Sequence, residues 1–262
     1  MKIARIEHGD RFDHAATANG GFHIIEGDIF GKFQVTDQFV PESGAALIAP
    51  VEPPQIVAIG RNYAEHAAET DSEVPDAPLL FIKTLNAIAD PGETILLPKM
   101  APGEVDYEAE LAVVIRKYAK NVAPQDVDDY ILGYTCANDI SARDCQLRKD
   151  KQWARGKCFD TFAPLGPWIQ TNFDPDNAAI CTELNGELMQ DSNTSNMIFG
   201  PRYLVSYVSR CMTLYPGSII MTGTPPGVGE GRDPKVFLRE GDTVTVTISG
   251  IGQLTNPVGM EK

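Results

Sequence analysis

The sequence predicts a mostly β protein of the α+β class, and three observations lead there. Short apolar or alternating segments recur along the 262 residues, each stopped by Gly, Pro or Asp. Asn185-Gly186, the dipeptide most typical of a two-residue hairpin, follows one of them. Only three stretches carry helical spacing, Tyr63 to Thr70, Ser141 to Lys149 with Ser141 as N-cap, and Tyr203 to Met212.

Taken in order, Lys2 to His8, Gly21 to Ile25 and Gly31 to Val35 make a small β-rich N-terminal region, residues 1–50, that ends at the prolines of Ala49-Pro50-Val51-Glu52-Pro53-Pro54. Residues 51–262 form the larger body. Its strands are expected at Gln55 to Gly60, Leu79 to Lys83, Thr94 to Leu97, Glu108 to Ile115 and Tyr130 to Ala137. Further on, Ile180 to Leu184 runs into the Asn-Gly turn, Ile219 begins a short strand, and Thr243 to Ile248 has almost pure strand composition.

Composition removes several functions. With 22 Lys and Arg against 36 Asp and Glu the formal charge is −14, which repels nucleic acid and anionic membranes, so neither is an expected partner. An anionic ligand would have to be caught by a local cation. No apolar run approaches the roughly 20 residues that span a bilayer. The charged, alternating start is expected to be a strand rather than a leader. The five cysteines are widely spaced with no CxxC pair, which argues against zinc and disulfide frameworks and makes the cytoplasm the expected compartment.

Chemistry is concentrated in a few segments. In Asp106-Tyr107-Glu108-Ala109-Glu110-Leu111-Ala112-Val113-Val114-Ile115 strand alternation puts Glu108 and Glu110 on one face, about 7 Å apart, while the residues beyond are apolar on both faces. A buried like-charged pair needs a cation or a shared proton; glutamates emerging into solvent are the plain alternative. Asp139 ends the next apolar strand, as an Asx-turn or as a third ligand. Together Glu108, Glu110 and Asp139 make an all-oxygen set suited to Mg²⁺, Mn²⁺ or Ca²⁺. His66 and Glu69, at i and i+3, are either an exposed helix pair or a base with its orienting carboxylate. Lys83 ends a strand, Arg143 and Gln146 follow Asp139, and Lys157 lies in Gly156-Lys157-Cys158. The loop Thr222-Gly223-Thr224-Pro225-Pro226-Gly227-Val228-Gly229 could bind a carboxylate through freed N–H groups, but lacks a phosphate-loop pattern.

These segments together resemble the fumarylacetoacetate hydrolase superfamily, collinearly from about Gln55 to Pro257. The resemblance is carried by Gly60-Arg61-Asn62-Tyr63 with His66 and Glu69, Phe81-Ile82-Lys83, Tyr107-Glu108-Ala109-Glu110-Leu111, Asn138-Asp139-Ile140-Ser141-Ala142-Arg143-Asp144, Lys157 through Pro167, Asn185-Gly186-Glu187 and Thr222-Gly223-Thr224-Pro225. Thr84 and Arg116 depart from the family's usual Pro and Gly, at positions that touch no proposed ligand. The resemblance implies a mixed β-sandwich roll, a homodimer, Mg²⁺ or Mn²⁺ on Glu108, Glu110 and Asp139, and chemistry on 2-oxo acids or their enols. It implies catalytic roles for His66, Glu69 and Lys157, and substrate contacts from Arg61, Tyr63, Lys83, Arg143, Gln146, Gly223 and Thr224. The leading expectation is hydrolysis of a carbon–carbon bond in an acylpyruvate such as fumarylpyruvate, with pyruvate enolate as the leaving group. The same electron sink would serve a 2-hydroxyhepta-2,4-diene-1,7-dioate isomerase or an oxaloacetate-type decarboxylase.

Overall fold

A computed structural model describes residues 1–262. The chain is mostly β, as expected, with its apolar strands gathered into two principal sheets. The larger has twelve strands. Its path runs Phe33–Pro41, Gly21–Gly27, Arg11–Ala18, Lys2–His8, Ala163–Gln170, Ile131–Asn138, Ala109–Ile115, Ile219–Met221, Ile56–Gly60, Leu79–Lys83. Ala46–Ile48 and Ile88–Ala89 pair off this path, with Lys2–His8 and Ala163–Gln170. Residues 2–41 therefore extend the sheet that carries the rest of the protein, through the antiparallel pairing of Lys2 with Gln170. The second sheet orders Glu187–Asn193, Ala179–Leu184, Thr243–Ile248, Gly252–Met260, Ile95–Leu97.

Most neighbours are antiparallel, but Ile219–Met221 runs parallel to Ile56–Gly60, and Gly252–Met260 parallel to Ile95–Leu97. The sheets are mixed. Asn185 and Gly186 take φ of 54° and 81°, the left-handed pair of a type I′ turn, and close the hairpin between Leu184 and Glu187.

Every residue of Ala109–Ile115 is buried, and its two faces feed different cores. Ala112 and Val114 pack into one apolar cluster with Ile56, Ala137 and Ile219, whereas Leu111, Val113 and Ile115 join another with Val57, Leu204 and Val208. Burying each Val, Leu or Ile is worth about 1.5–3 kcal/mol, so the strand that carries Glu110 is anchored from both sides.

Helices are few. Ala64–Glu69 and Pro201–Cys211 lie where the spacing puts them. The helix expected from Ser141 to Lys149 is different. Ser141–Ala142 instead pairs as a short strand with Val105–Asp106, and a wide, π-type turn covers only Asp144–Lys149. Ser141 caps nothing: its Oγ donates to the Asp139 carbonyl at 2.9 Å. Cross-strand pairing next to the site overrides the local helical preference here. No helix is long and apolar enough to cross a membrane.

Candidate metal centre and active site

Glu108, Glu110 and Asp139 converge where two central strands meet. Glu110 is the second residue of Ala109–Ile115, Glu108 immediately precedes that strand, and Asp139 follows Ile131–Asn138. The Asp139 N–H donates to the Glu108 carbonyl at 2.8 Å, which locks the two strand ends together. One oxygen from each carboxylate lies within 4.8 Å of the others, and all three residues are buried.

The electrostatics around them are uneven. Lys157 Nζ donates to Glu108 Oε2 at 2.7 Å and to Asp139 Oδ2 at 2.6 Å, while Lys83 Nζ holds Asp139 Oδ1 at 2.5 Å. Arg143 forks between Asp106, 2.8 Å from its Nε, and Glu108, 2.7 Å from its Nη1. Burial would raise Glu108, but Lys157 and Arg143 outweigh it and hold its carboxyl well below the usual range. Glu110 has no cationic partner; it accepts only the Gly223 N–H, at 2.8 Å. Burial, then the charges of Asp139 and Glu108, push it well above the usual carboxylate range. Burial also lowers Lys83, whereas Asp139 and Glu108 overcome burial and raise Lys157.

The donor chemistry fits a divalent cation. Four buried carboxylates (Asp106, Glu108, Glu110, Asp139) face three buried cations (Lys83, Arg143, Lys157), and the one without a counter-charge is a member of the convergent trio. An all-oxygen set of this kind suits a hard ion and not zinc.

Beside the trio, His66 Nδ1 meets Glu69 Oε1 at 2.7 Å, and the ring is buried. The other Glu69 oxygen accepts the Gly227 N–H at 2.8 Å, tying the short helix to the glycine loop. That pairing fixes the imidazole and leaves Nε2 for chemistry. The dyad, the three carboxylates, Lys157, Arg143, Gln146, Thr224 and Arg61 line one cavity of about 260 Å³. Arg143 Nη2, on that wall, is buried without a partner, and Gln146 lies beside it with Oε1 2.9 Å from Nη1.

Three sequence-nominated residues stand outside the cavity wall. Lys83 is entirely buried behind Asp139. Tyr63 is buried with its hydroxyl unpartnered. Gly223 serves Glu110: at φ 96° it occupies the left-handed region, and a Cβ there would fall 2.6 Å from that of Asn62. The glycine loop does bind carboxylates, but they are the protein's own: Gly223 holds Glu110, Gly227 holds Glu69 and Gly229 holds Asp106, each at 2.8 Å.

Several contributors were not singled out from sequence. Asp106 accepts Arg143 Nε and the N–H groups of Gly229 and Glu230; its place two residues before Glu108 in the acidic alternation was the available signal. Gln190 is fully buried, accepts the Ala109 N–H, and donates to Thr224 Oγ1 at 2.8 Å and to Pro225 O at 2.7 Å. Trp153, Glu230 and Lys235 line the cavity from segments with no local signature.

This fold, with a buried carboxylate trio beside a His–Glu pair, defines a class shared with known proteins. Residues 55–259 match the family model for fumarylacetoacetate (FAA) hydrolase C-terminal, and residues 1–50 match Rv2993c-like, N-terminal. The chain belongs to the fumarylacetoacetate hydrolase family. It is 46% identical over 223 residues, 84% of this chain and 71% of the relative, to the mitochondrial oxaloacetate tautomerase Fahd2a of Rattus norvegicus. Among solved structures, 5-carboxymethyl-2-hydroxymuconate delta-isomerase from Mycobacterium smegmatis superposes with a TM-score of 0.90 at 41% identity, over 100% of both chains. The fumarylacetoacetate hydrolase of Exiguobacterium antarcticum does so at 0.91 and 34%, again over 100% of both chains.

Proposed function

We propose that this protein is a divalent-cation-dependent enzyme that moves protons on the enol form of a 2-oxo acid, as a keto–enol tautomerase or double-bond isomerase. The observation that carries this reading is the juxtaposition, in one cavity, of a carboxylate trio left one positive charge short and a buried His66–Glu69 pair. A Mg²⁺ or Mn²⁺ ion held by Glu108, Glu110 and Asp139 would supply Lewis-acid stabilisation of enolate charge, worth several kcal/mol.

The chain's own groups do the rest. His66 Nε2 takes a proton from the carbon next to the 2-oxo group and returns it, while Glu69 keeps the proton on Nδ1 and steadies the imidazolium. The Lys157 ammonium adds positive charge at the inner end, where Arg143 Nη2 and Thr224 Oγ1 lie on the wall that receives the acid. The activities for which two relatives are named, a tautomerase and a delta-isomerase, support proton transfer as the shared step.

Carbon–carbon hydrolysis of an acylpyruvate is the second reading, favoured by the same dyad, because His66 Nε2 can equally deprotonate water. Acetylpyruvate, fumarylpyruvate, oxaloacetate and 2-hydroxyhepta-2,4-diene-1,7-dioate, each with Mg²⁺ or EDTA, separate the readings. The enzyme is expected to catalyse metal-dependent enol–keto interconversion and exchange of the carbon-bound proton into D₂O, both lost in His66→Ala. Pyruvate release as the dominant reaction would favour hydrolysis, CO₂ release would favour a decarboxylase, and indifference to metal and to His66 would overturn all of these. The protein is further proposed to work on free small molecules as a homodimer, which sedimentation measures.

A further inference from the structure

Four cationic side chains line the cavity: Arg61, Arg143, Lys157 and Lys235. Three of them are paired. Arg143 and Lys157 hold the buried carboxylates, and Lys235 Nζ lies 2.6 Å from Glu230. No carboxylate pairs with Arg61, although Asp71 and Glu69 share its cavity. Its guanidinium instead lies over the ring of Trp153, 5.7 Å from the centroid.

The placement is built. Arg61 has φ 55°, a left-handed backbone uncommon for a long side chain and of the kind that collects at functional sites. Asn62 beside it is fully buried; its side-chain amide donates to the Phe199 and Thr222 carbonyls, and its oxygen accepts the Phe199 N–H, so the strained turn cannot relax. Trp153 is fixed edge-on to Phe81 at 5.5 Å. It also closes on Gly60, where any Cβ would fall 2.6 Å from the indole. A planar cation is thus held on an aromatic plate, charge-unpaired, at the half-exposed side of a cavity whose opposite side is buried.

We propose that Arg61, stacked on Trp153, is the specificity-determining cation that binds a second carboxylate at the far end of the substrate, so that 2-oxo diacids are selected over 2-oxo monoacids. This rests on the 2-oxo acid reading above. The inner cations are committed to the trio and its cation site, and Lys235 is neutralised by Glu230. Arg61 is the one charge free to meet a distal carboxylate, and its planar fork suits a bidentate contact. Trp153 is a positioning residue: cation–π stacking restricts the guanidinium before ligand arrives.

The test uses 2-oxoglutarate and 2-oxopentanoate, which differ only by a distal carboxylate in place of a methyl. Titration calorimetry on the Mg²⁺-loaded full chain gives both dissociation constants. Wild type is expected to bind the diacid at least about tenfold more tightly, the value of one charge-assisted contact. Arg61→Asn keeps a residue that tolerates the left-handed turn. It should bring the two ligands to within about threefold by weakening the diacid alone, with Trp153→Leu intermediate. A preference that survives Arg61→Asn, an equal loss for both ligands, or a wild type without preference overturns the assignment. Failure of both acids to bind the Mg²⁺-loaded wild type would instead overturn the 2-oxo acid reading on which it stands.

Discussion

Two glutamates separated by one residue should respond in opposite directions when their charge is removed from the metal-free protein. Glu108 is paired twice, with Lys157 and Arg143 at 2.7 Å each, and every partner is buried. Glu108→Gln leaves those cations facing a neutral amide, and breaking a buried pair from one side costs about 3–5 kcal/mol. Glu110 is equally buried but meets only the Gly223 N–H, with Asp139 and Glu108 repelling it. Glu110→Gln keeps an oxygen for Gly223, offers an N–H₂ donor to the neighbouring carboxylates and removes the repulsion. In EDTA near neutral pH it should stabilise the protein by about 1–3 kcal/mol, the scale of one buried polar group relieved of an unmet interaction. Both variants should lose most of their affinity for Mg²⁺ and Mn²⁺. Urea unfolding in EDTA and metal calorimetry give the four numbers needed. Equal destabilisation by the two substitutions would refute the reasoning, because Glu110 would then have a counter-charge that the structure does not contain.

Three further outcomes follow from the same network. A carboxyl raised in the folded state contributes stability below its unfolded pKa and loses it as pH rises through the folded one. Melting of the EDTA-treated protein should therefore fall as pH rises above the ordinary glutamate range in wild type, flatten in Glu110→Gln, and flatten with saturating Mg²⁺. Gly223→Ala forces a side chain into φ 96° against Asn62 and should cost about 2 kcal/mol or more, seen in denaturant unfolding, while weakening metal binding through Glu110. Gln190→Leu strands the Ala109 N–H and the Thr182 hydroxyl, both buried; unfolding should register a loss of about 2–6 kcal/mol, at about 1–3 kcal/mol per orphaned group.

How much was legible in the sequence depended on whether the signal was local. Thr243–Ile248 and Leu79–Lys83 are marked by β-branched or apolar runs, and the Asn185-Gly186 turn by the dipeptide most typical of it. Ala163–Gln170 went unread because Pro164, Gly166 and Pro167 usually exclude a strand; it is tolerated where register slips beside Tyr134 and Cys136. Arg11–Ala18 is too polar to stand out, and its pairing with Lys2–His8 supplies the missing cause. In the site, the trio was visible because strand alternation and strand ends are local facts. Gln190 and Trp153 were not, since nothing near them in sequence says that they reach Thr224 or Arg61.

That division also explains how one frame can serve several reactions. The inner half of the cavity is over-determined: Glu108, Glu110 and Asp139 are fixed by Lys157, Gly223 and Lys83, and the loop that holds Glu110 also holds Glu69. Changing that loop disturbs the proposed metal ligand Glu110 and the dyad together. The outer half is assembled from Arg61, from Asp71 and Ser72 past the short helix, from Leu147 and Trp153, and from Glu230 and Lys235. These are turn and loop positions joined mainly by partly exposed ion pairs, with Arg148 and Lys235 both on Glu230. Side chains can be exchanged there without unseating Glu108, Glu110 or Asp139. On the proposed function, substrate choice can therefore diverge while the enolate chemistry stays, and the place to look for what this protein prefers is Arg61 and its neighbours rather than the carboxylates.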